Sequence, residues 1–583
     1  MGQPVEVQVL SATLVKNKII NIFLWLFLII EGLIFIFLLP PFQKYDETGH
    51  FSRAVALSSG QFFCKNSQFL IPKDLAKLPS EYNFTSVLIE NKTFPIDSVN
   101  FNEKRGVDKG SLVAVTPCNF SFVGYLPNVL GLWMGGLTNN LAIIFYSGRI
   151  FAFIFFVTML SVALKIIKPK FQYLLWFYAL TPLVVHQVTS FSYDVMIMSL
   201  VPVLISLFIN RLDGAKWLWR DWVIIWIIFT AVSCIKIVYL PLVLLFMVID
   251  LKKIKINFLI LILVSIVSLG ITKILMKDMI YNQYVNPTIQ QKLVLTDPVF
   301  FVSTLIKTIS SNWQDEYKSM VAVFGWKNVT MSNDFGFYVY LLAIVWVINE
   351  TGKKMSKKVN IGVVILGLTI NLGIIFYIYL AMYLTWSVVA SSYIYGTQGR
   401  YYLPLLPFVL ILLSQLWVYI KDKGYLLVGG VMLLVLISSI NGLYSRYFDY
   451  SKNFVDKPMV ISKKDKVSFV LIDSKKTFDL AVTSNNISGF KVNIDNQNKA
   501  ILIPYRYRVM DKSCKKTLKY GYFRQYDIQN DNNYIEIFGK IDAKDNQLCF
   551  EITPFTFDLN GYTDSFLSVK NINDRPSIEW IYF

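Results

Sequence analysis

The chain has 583 residues, of which 55% are hydrophobic and 16% aromatic, more apolar surface than a soluble fold of this length needs. Its net charge of +18 would suit a nucleic-acid binder, but no RNA- or DNA-binding motif is present, and basic residues also collect at the cytoplasmic ends of membrane spans. The composition therefore points to a polytopic membrane protein that binds no nucleic acid.

The first apolar run, about 19–39, is too long for the core of a cleaved signal and reads as a span. Glu31 in its middle reads as a polar structural contact. Further spans are predicted at about 141–164, 171–189, 194–210, 257–275, 335–350, 359–380, 402–420 and 425–444. The run 222–250 is interrupted at Lys236, Tyr239 and Pro241 and reads as two short helices in a hairpin. With that hairpin, Lys16, Lys18, Lys165, Lys168, Lys170, Arg211, Arg220, Lys353, Lys354, Lys357, Lys358, Lys421 and Lys423 all fall on one side, the cytoplasm. About eleven spans result, with polar regions at about 40–140, 277–333 and 446–583 outside. The paired positions Cys64 with Cys118 and Cys514 with Cys549 fall in the first and third of these regions, as disulfides in an oxidising compartment would. Cys234, inside an apolar run, reads as a core residue.

The tail changes period. Val467-Ser468-Phe469-Val470-Leu471-Ile472 and Tyr534-Ile535-Glu536-Ile537-Phe538 are β-rich, and Asn/Asp clusters separate such stretches as turns. The predicted organisation is thus a helical membrane domain over 1–445 and an extracytoplasmic β-sandwich of jelly-roll type over 446–583.

Polar residues that can carry chemistry gather after the first span. Pro40-Pro41 ends the helix, and Asp46, Glu47, His50 and Arg53 follow. Asp46, His50 and Arg53 stand at i, i+4 and i+7, one face of a helix. They read either as a catalytic carboxylate with its neighbours at the membrane boundary or as a solvated interfacial helix. The chain holds only two histidines, far apart, which gives little to build zinc or di-iron ligation from.

The stretch Pro40 to Ala54 resembles the first-loop signature, roughly P-x-D-E-x-x-H-x-x-R-A, of bacterial membrane glycosyltransferases of the GT-C type. Other blocks are similar and in order: Tyr146-Ser147-Gly148-Arg149, Ser192-Tyr193-Asp194, Lys236-Ile237-Val238-Tyr239-Leu240-Pro241-Leu242, Phe324-Gly325-Trp326, and Gln398-Gly399-Arg400-Tyr401-Tyr402-Leu403-Pro404-Leu405-Leu406-Pro407. Together they span about 40–407. One departure is the wider spacing made by Gln43, Lys44 and Tyr45 before the acid.

The resemblance implies a GT-C-like fold. It implies transfer of a sugar from a polyprenyl-phosphate donor to a surface glycan, such as O-antigen, capsule or wall polysaccharide, or a lipid-linked glycan, at the outer face of a bacterial inner membrane. Asp46 would be the general base, with Glu47 the second choice and His50 orienting it. Arg400, then Lys236, Arg53 and Arg149, would hold the donor phosphate, since a guanidinium donates two parallel bonds to a phosphate. Asp194, Tyr239, Gln398, Tyr401 and Trp326 would line the cavity, with His186 near them. No cofactor is implied, and a divalent metal stays open. The competing reading is a transporter or flippase of lipid-linked glycans, although no repeated halves are visible.

Overall fold

Among the residues that the computed structural model describes, helices predominate up to residue 447 and antiparallel strands beyond it. It describes residues 4–447 outside gaps, the longest being most of 83–109, 116–120, most of 250–284 and 417–424, and beyond 447 chiefly the strands. Two compact units result, one of residues 1–84, 95–389 and 394–446, the other of 85–94, 390–393 and 447–583.

In the first unit, α1 (Pro4–Phe37) leads through the two prolines to α2 (Glu47–Ser58). A two-stranded ribbon, β1 (Phe69–Pro72) with β2 (Leu112–Val115), brackets α3 (Lys73–Glu81). The helices α4 (Leu126–Gly136) and α5 (Leu141–Ile166) then pack so closely that a Cβ on Gly131 would meet the Ser147 carbonyl oxygen at 2.3 Å. The apolar run 171–189 is not one continuous helix. It breaks at Pro182 into α6 (Gln172–Ala179) and α7 (Pro182–Val188), because proline cannot donate to the preceding turn. The next helix, α8 (Asp194–Leu212), runs through the core.

The interruption expected at Lys236 is present. After α9 (Trp219–Ile235) the backbone at Lys236 is extended, a 3₁₀ segment covers Ile237–Leu242, and α10 (Val243–Ile249) follows. The rings of Phe229 and Phe246 lie 5.5 Å apart. A continuous helix would separate those positions by about 25 Å, so the chain doubles back here.

The region 277–333, expected as a polar outer loop, carries two helices instead, α11 (Pro287–Thr296) and α12 (Pro298–Ala322), bent by 105° at Asp297. A two-stranded turn, β3 (Val323–Phe324) with β4 (Val329–Thr330), leads to α13 (Phe335–Lys354), α14 (Ile361–Thr385), α15 (Leu406–Leu413) and α16 (Tyr425–Tyr447). Among the described residues, five helices are long and apolar enough to cross a membrane, or six if the bent pair is one span.

Basic stretches meet at one end of this unit. Lys168 and Lys170 both bind the Asp213 carboxylate, at 2.5 and 2.8 Å, and Asp213 also accepts the Ser356 N–H at 2.6 Å. Burial pushes that carboxyl upward, but the bonds from Lys168, Lys170 and Ser356 outweigh it and hold it at about 2. Glu31, expected to make a polar contact, is fully buried, and neither of its carboxylate oxygens has a hydrogen-bond partner among the described residues.

The tail forms two antiparallel sheets. One has four strands in the order Thr517–Arg524, Pro504–Asp511, Gln547–Pro554, Lys476–Ala481. The other is built around Asn486–Asp495, which pairs with Tyr534–Asp542, Ser568–Ile572 and Ile578–Tyr582. Cys514 and Cys549 are disulfide-bonded, with Cα atoms 5.4 Å apart. Cys64 is disulfide-bonded as well, while its expected partner Cys118 lies outside the described residues. Cys234 is buried, as expected.

Candidate active site

The site begins with how α1 stops. Pro40 and Pro41 have no N–H to offer the last carbonyls of the helix. Arg149, from the first turns of α5, takes their place: its Nη1 donates to the Ile36 and Leu39 oxygens at 2.9 and 2.8 Å, and its Nη2 to the Pro40 oxygen at 3.1 Å. The same guanidinium grips Glu47 with a two-pronged ion pair, Nε to Oε1 at 2.9 Å and Nη2 to Oε2 at 2.5 Å. Both side chains are fully buried. Glu47 also accepts the Phe191 N–H at 3.2 Å. Glu47 and Arg149 therefore answer each other.

Lys44 anchors the other side of the loop. Its buried amine donates to the His186 oxygen at 3.2 Å, to the Thr189 hydroxyl at 2.8 Å and to the Thr189 carbonyl. Between these two anchors the backbone at Asp46 is left-handed, with φ of 57°. Asp and Asn tolerate that region better than most residues, but it remains a strained choice. Asp46 stands at the N-cap of α2 without a side-chain capping bond. Its carboxylate turns toward Arg400, whose Nη2 is 3.6 Å away.

Arg400 sits on a 3₁₀ turn (Gly399–Tyr401) seated on α12. Gly399 donates its N–H to Ser319 at 2.8 Å, and a Cβ there would come within 2.1 Å of the Met320 nitrogen. Thr397 donates to Glu316 at 2.6 Å, and Lys327 donates to the Thr397 oxygen at 3.1 Å. The guanidinium is 4% exposed and lies between two carboxylates, with Nε 3.5 Å from Asp194 as well. Neither its Nε nor its Nη1 has a hydrogen-bond acceptor among the described residues. Burial opposes its charge, but Tyr401, Asp194, Tyr193 and Asp46 outweigh that and raise its pKa.

Asp194 bridges the two cations. Its Oδ1 accepts from Lys236 Nζ at 2.9 Å, while its Oδ2 faces Arg400. Lys236, at the bend after α9, also lies over the rings of Tyr193 and Tyr401, at 4.5 and 4.0 Å. Arg400 lies over Tyr45 and Tyr401 at 5.0 and 5.4 Å. The result is a row of alternating charge, Asp46, Arg400, Asp194, Lys236, walled by aromatic rings. Asp46 is 36% exposed and the Arg400 and Asp194 side chains 4% each, so the row opens at Asp46.

The remaining candidates divide. His50 is buried beside the row; its Nδ1 is 2.6 Å from the Tyr125 hydroxyl, and its ring packs edge-on against Tyr193. Burial, then the charge of Arg400, pushes it down to about 3, so the ring is neutral. Tyr239 donates to the Tyr401 carbonyl at 2.9 Å. Trp326 donates to the Phe42 oxygen at 3.2 Å and stacks near Tyr45, with ring centres 5.1 Å apart. Gln398 is buried, and its carbonyl accepts the Tyr401 N–H at 3.0 Å. Arg53 instead ties down the next loop, donating to Gln61 and Phe62 oxygens at 3.0 and 2.7 Å, so it is not brought to the row. Lys44, Tyr45 and Tyr193 stand in the motif blocks without an assigned role, and Tyr125 lies outside them. A lysine in an otherwise apolar-flanked loop was the one signal for Lys44. Among the described residues, no group of three or more His, Cys, Asp or Glu side chains could hold a metal ion.

No curated protein and no solved structure matches this chain. Residues 28–409 match a family described as "Predicted membrane protein (DUF2142)", a description that names no activity. The match takes in every motif block from Pro40 to Pro407 and more than half of the chain. The chain therefore belongs to the DUF2142 family of predicted membrane proteins.

Proposed function

We propose that this protein is a GT-C-type glycosyltransferase that moves a sugar from a polyprenyl-phosphate donor to a cell-surface glycan. The observation that carries the reading is Arg400: a buried guanidinium whose Nη1 has no hydrogen-bond acceptor among the described residues, set between Asp194, which its Nε faces at 3.5 Å, and a solvent-facing Asp46. A buried cationic fork held only by long ion pairs suits a phosphate oxygen pair. Aromatic walls at Tyr45, Tyr193, Tyr401 and Trp326 suit the faces of sugar rings and the edge of a lipid chain.

In the proposed reaction the acceptor hydroxyl approaches from the open end of the row. Asp46 takes its proton as its oxygen bonds to the sugar C1. The bond from C1 to the phosphate oxygen breaks, and the negative charge gathering on that oxygen is met by Arg400, with Lys236 behind it. Asp194 keeps the two cations apart and aimed. The full proposal includes about eleven spans, an outward-facing β-sandwich tail and a bacterial inner-membrane location.

The test is transfer by purified protein in lipid nanodiscs, supplied with radiolabelled polyprenyl-phosphate sugars and lipid-linked glycan. Transfer is expected from the native chain, with a large loss in Arg400→Lys, because a point charge cannot replace the fork. Normal donor affinity and turnover in Arg400→Ala would overturn the phosphate assignment. Movement of glycan across the bilayer without transfer would favour a flippase instead.

A further inference from the structure

The helix α12 has three faces. Phe301, Thr304, Leu305 and Thr308 are buried, and Phe301 and Leu305 pack with Tyr379, Tyr383 and Ile394. Val299, Val302, Ile306, Ile309 and Trp313 are exposed; at about 100° per residue they share one narrow sector. Ser303, Lys307, Ser310, Ser311 and Gln314 are exposed too and form a second, polar row beside the first.

Neither a spanning helix nor a fully hydrated one accounts for both rows. A span would drag the polar row into hydrocarbon, and a hydrated helix would leave the apolar row in water. A helix lying along a membrane surface satisfies both. Continuity with the lipid-facing surface identifies what covers the apolar row. On α14, which is long and apolar enough to cross a membrane, Ile365, Leu372 and Phe376 are exposed along one face. The Phe376 ring meets the Phe301 ring of α12, with centres 5.8 Å apart. The exposed face of the span thus runs directly onto α12. The 105° bend at Asp297, capped by the Asp297 bond to the Phe300 N–H at 3.0 Å, turns the chain aside instead of carrying it across.

We propose that α12 is an interfacial helix: its Val302–Ile306–Trp313 row sits in the lipid at the membrane boundary, and its Ser303–Lys307–Gln314 row faces water. Because its last turns hold Thr397 and Gly399, α12 fixes the depth of Arg400 relative to the bilayer surface.

The test uses full-length protein in lipid vesicles, with Cys234→Ala and single spin-labelled cysteines at Val302, Ile306 and Ile309 or at Ser303, Lys307 and Ser310. Power saturation compares collisions with oxygen, which concentrates in lipid, and with a water-soluble nickel chelate. The logarithm of their ratio is expected to be positive along the first row and negative along the second. Nickel reaching Ile306 as readily as Lys307 would put the helix in water. Oxygen dominating both rows would make it a span. Exclusion of both reagents from Ile306 would mean a protein partner covers it. Each of these three results overturns the proposal.

Discussion

Asp46 occupies its left-handed conformation because residues on both sides of it are fixed: Lys44 by the oxygens of His186 and Thr189, Glu47 by Arg149 and the Phe191 N–H. This separates two kinds of aspartate. A helix cap would bind its own N–H groups, and Asp46 makes no such bond. Asparagine tolerates the same backbone region, so Asp46→Asn should keep the native melting temperature. Under the proposed mechanism it should lose about 10²–10⁴-fold in turnover, the usual contribution of a general base. Near-native turnover in purified Asp46→Asn would remove the base assignment. His50 gives a prediction about pH. Its folded pKa of about 3 lies below the ordinary histidine value of 6.5, so from 6.5 downward the unfolded chain binds a proton that the folded chain refuses. Stability contributed by neutral His50 is therefore complete above 6.5 and falls as the pH drops toward 3. Thermal unfolding at pH 7 and 5 should show a smaller drop for His50→Gln than for the native chain. An equal drop would show that His50 is not kept neutral by the fold.

At the scale of elements, the buried pair between α2 and α5 holds the end of α1 in place. Removing one partner leaves the other charge buried and unanswered, which typically costs about 3–5 kcal/mol. Glu47→Gln and Arg149→Met should therefore lower thermal stability and cell content sharply, in contrast to Asp46→Asn. A Glu47→Gln protein of native stability that cannot transfer sugar would instead give Glu47 a chemical role. This pair also marks how far the sequence could be read. Asp46, Arg400 and Lys236 were legible, because charges at the ends of apolar runs are costly unless they are used. That Glu47 belongs to Arg149 was not legible, because the two lie 102 residues apart and only packing brings them together. Asp194 was expected only to line the cavity, and the structure makes it the bridge between the two cations, a pairing across 42 and 206 residues that the sequence does not show. The helix α12 was hidden differently. Lys307, Ser303 and Ser310 interleave with its apolar row, so the stretch reads as polar when averaged, although its two exposed rows are cleanly sorted in space. The tail's strands were visible as β-rich runs, but their order depends on pairings distant in sequence, such as Ser568 with Leu471.

For the whole molecule, the doubling back of the chain at Lys236 bears on topology. Phe229 and Phe246 meet across the bend, so both arms run along the same side of α8, where Phe208 also touches Phe246. If the arms enter and leave by the same face, a cysteine placed beside residue 236 and one beside residue 355 should lie on opposite sides of the membrane. An impermeant maleimide added to intact cells should label the first and not the second. Labelling near 355 would mean that the bend does not return the chain to its starting side. The single guanidinium of Arg149 ties the last carbonyls of α1 to Glu47, the acidic residue next to Asp46, so the end of a candidate membrane span is bonded directly to the loop that carries Asp46. A thicker or thinner bilayer changes the tilt of a span, and here such a change would swing Asp46 against Arg400. Acyl-chain length would then act as a control knob on this protein, set by the lipid the cell makes.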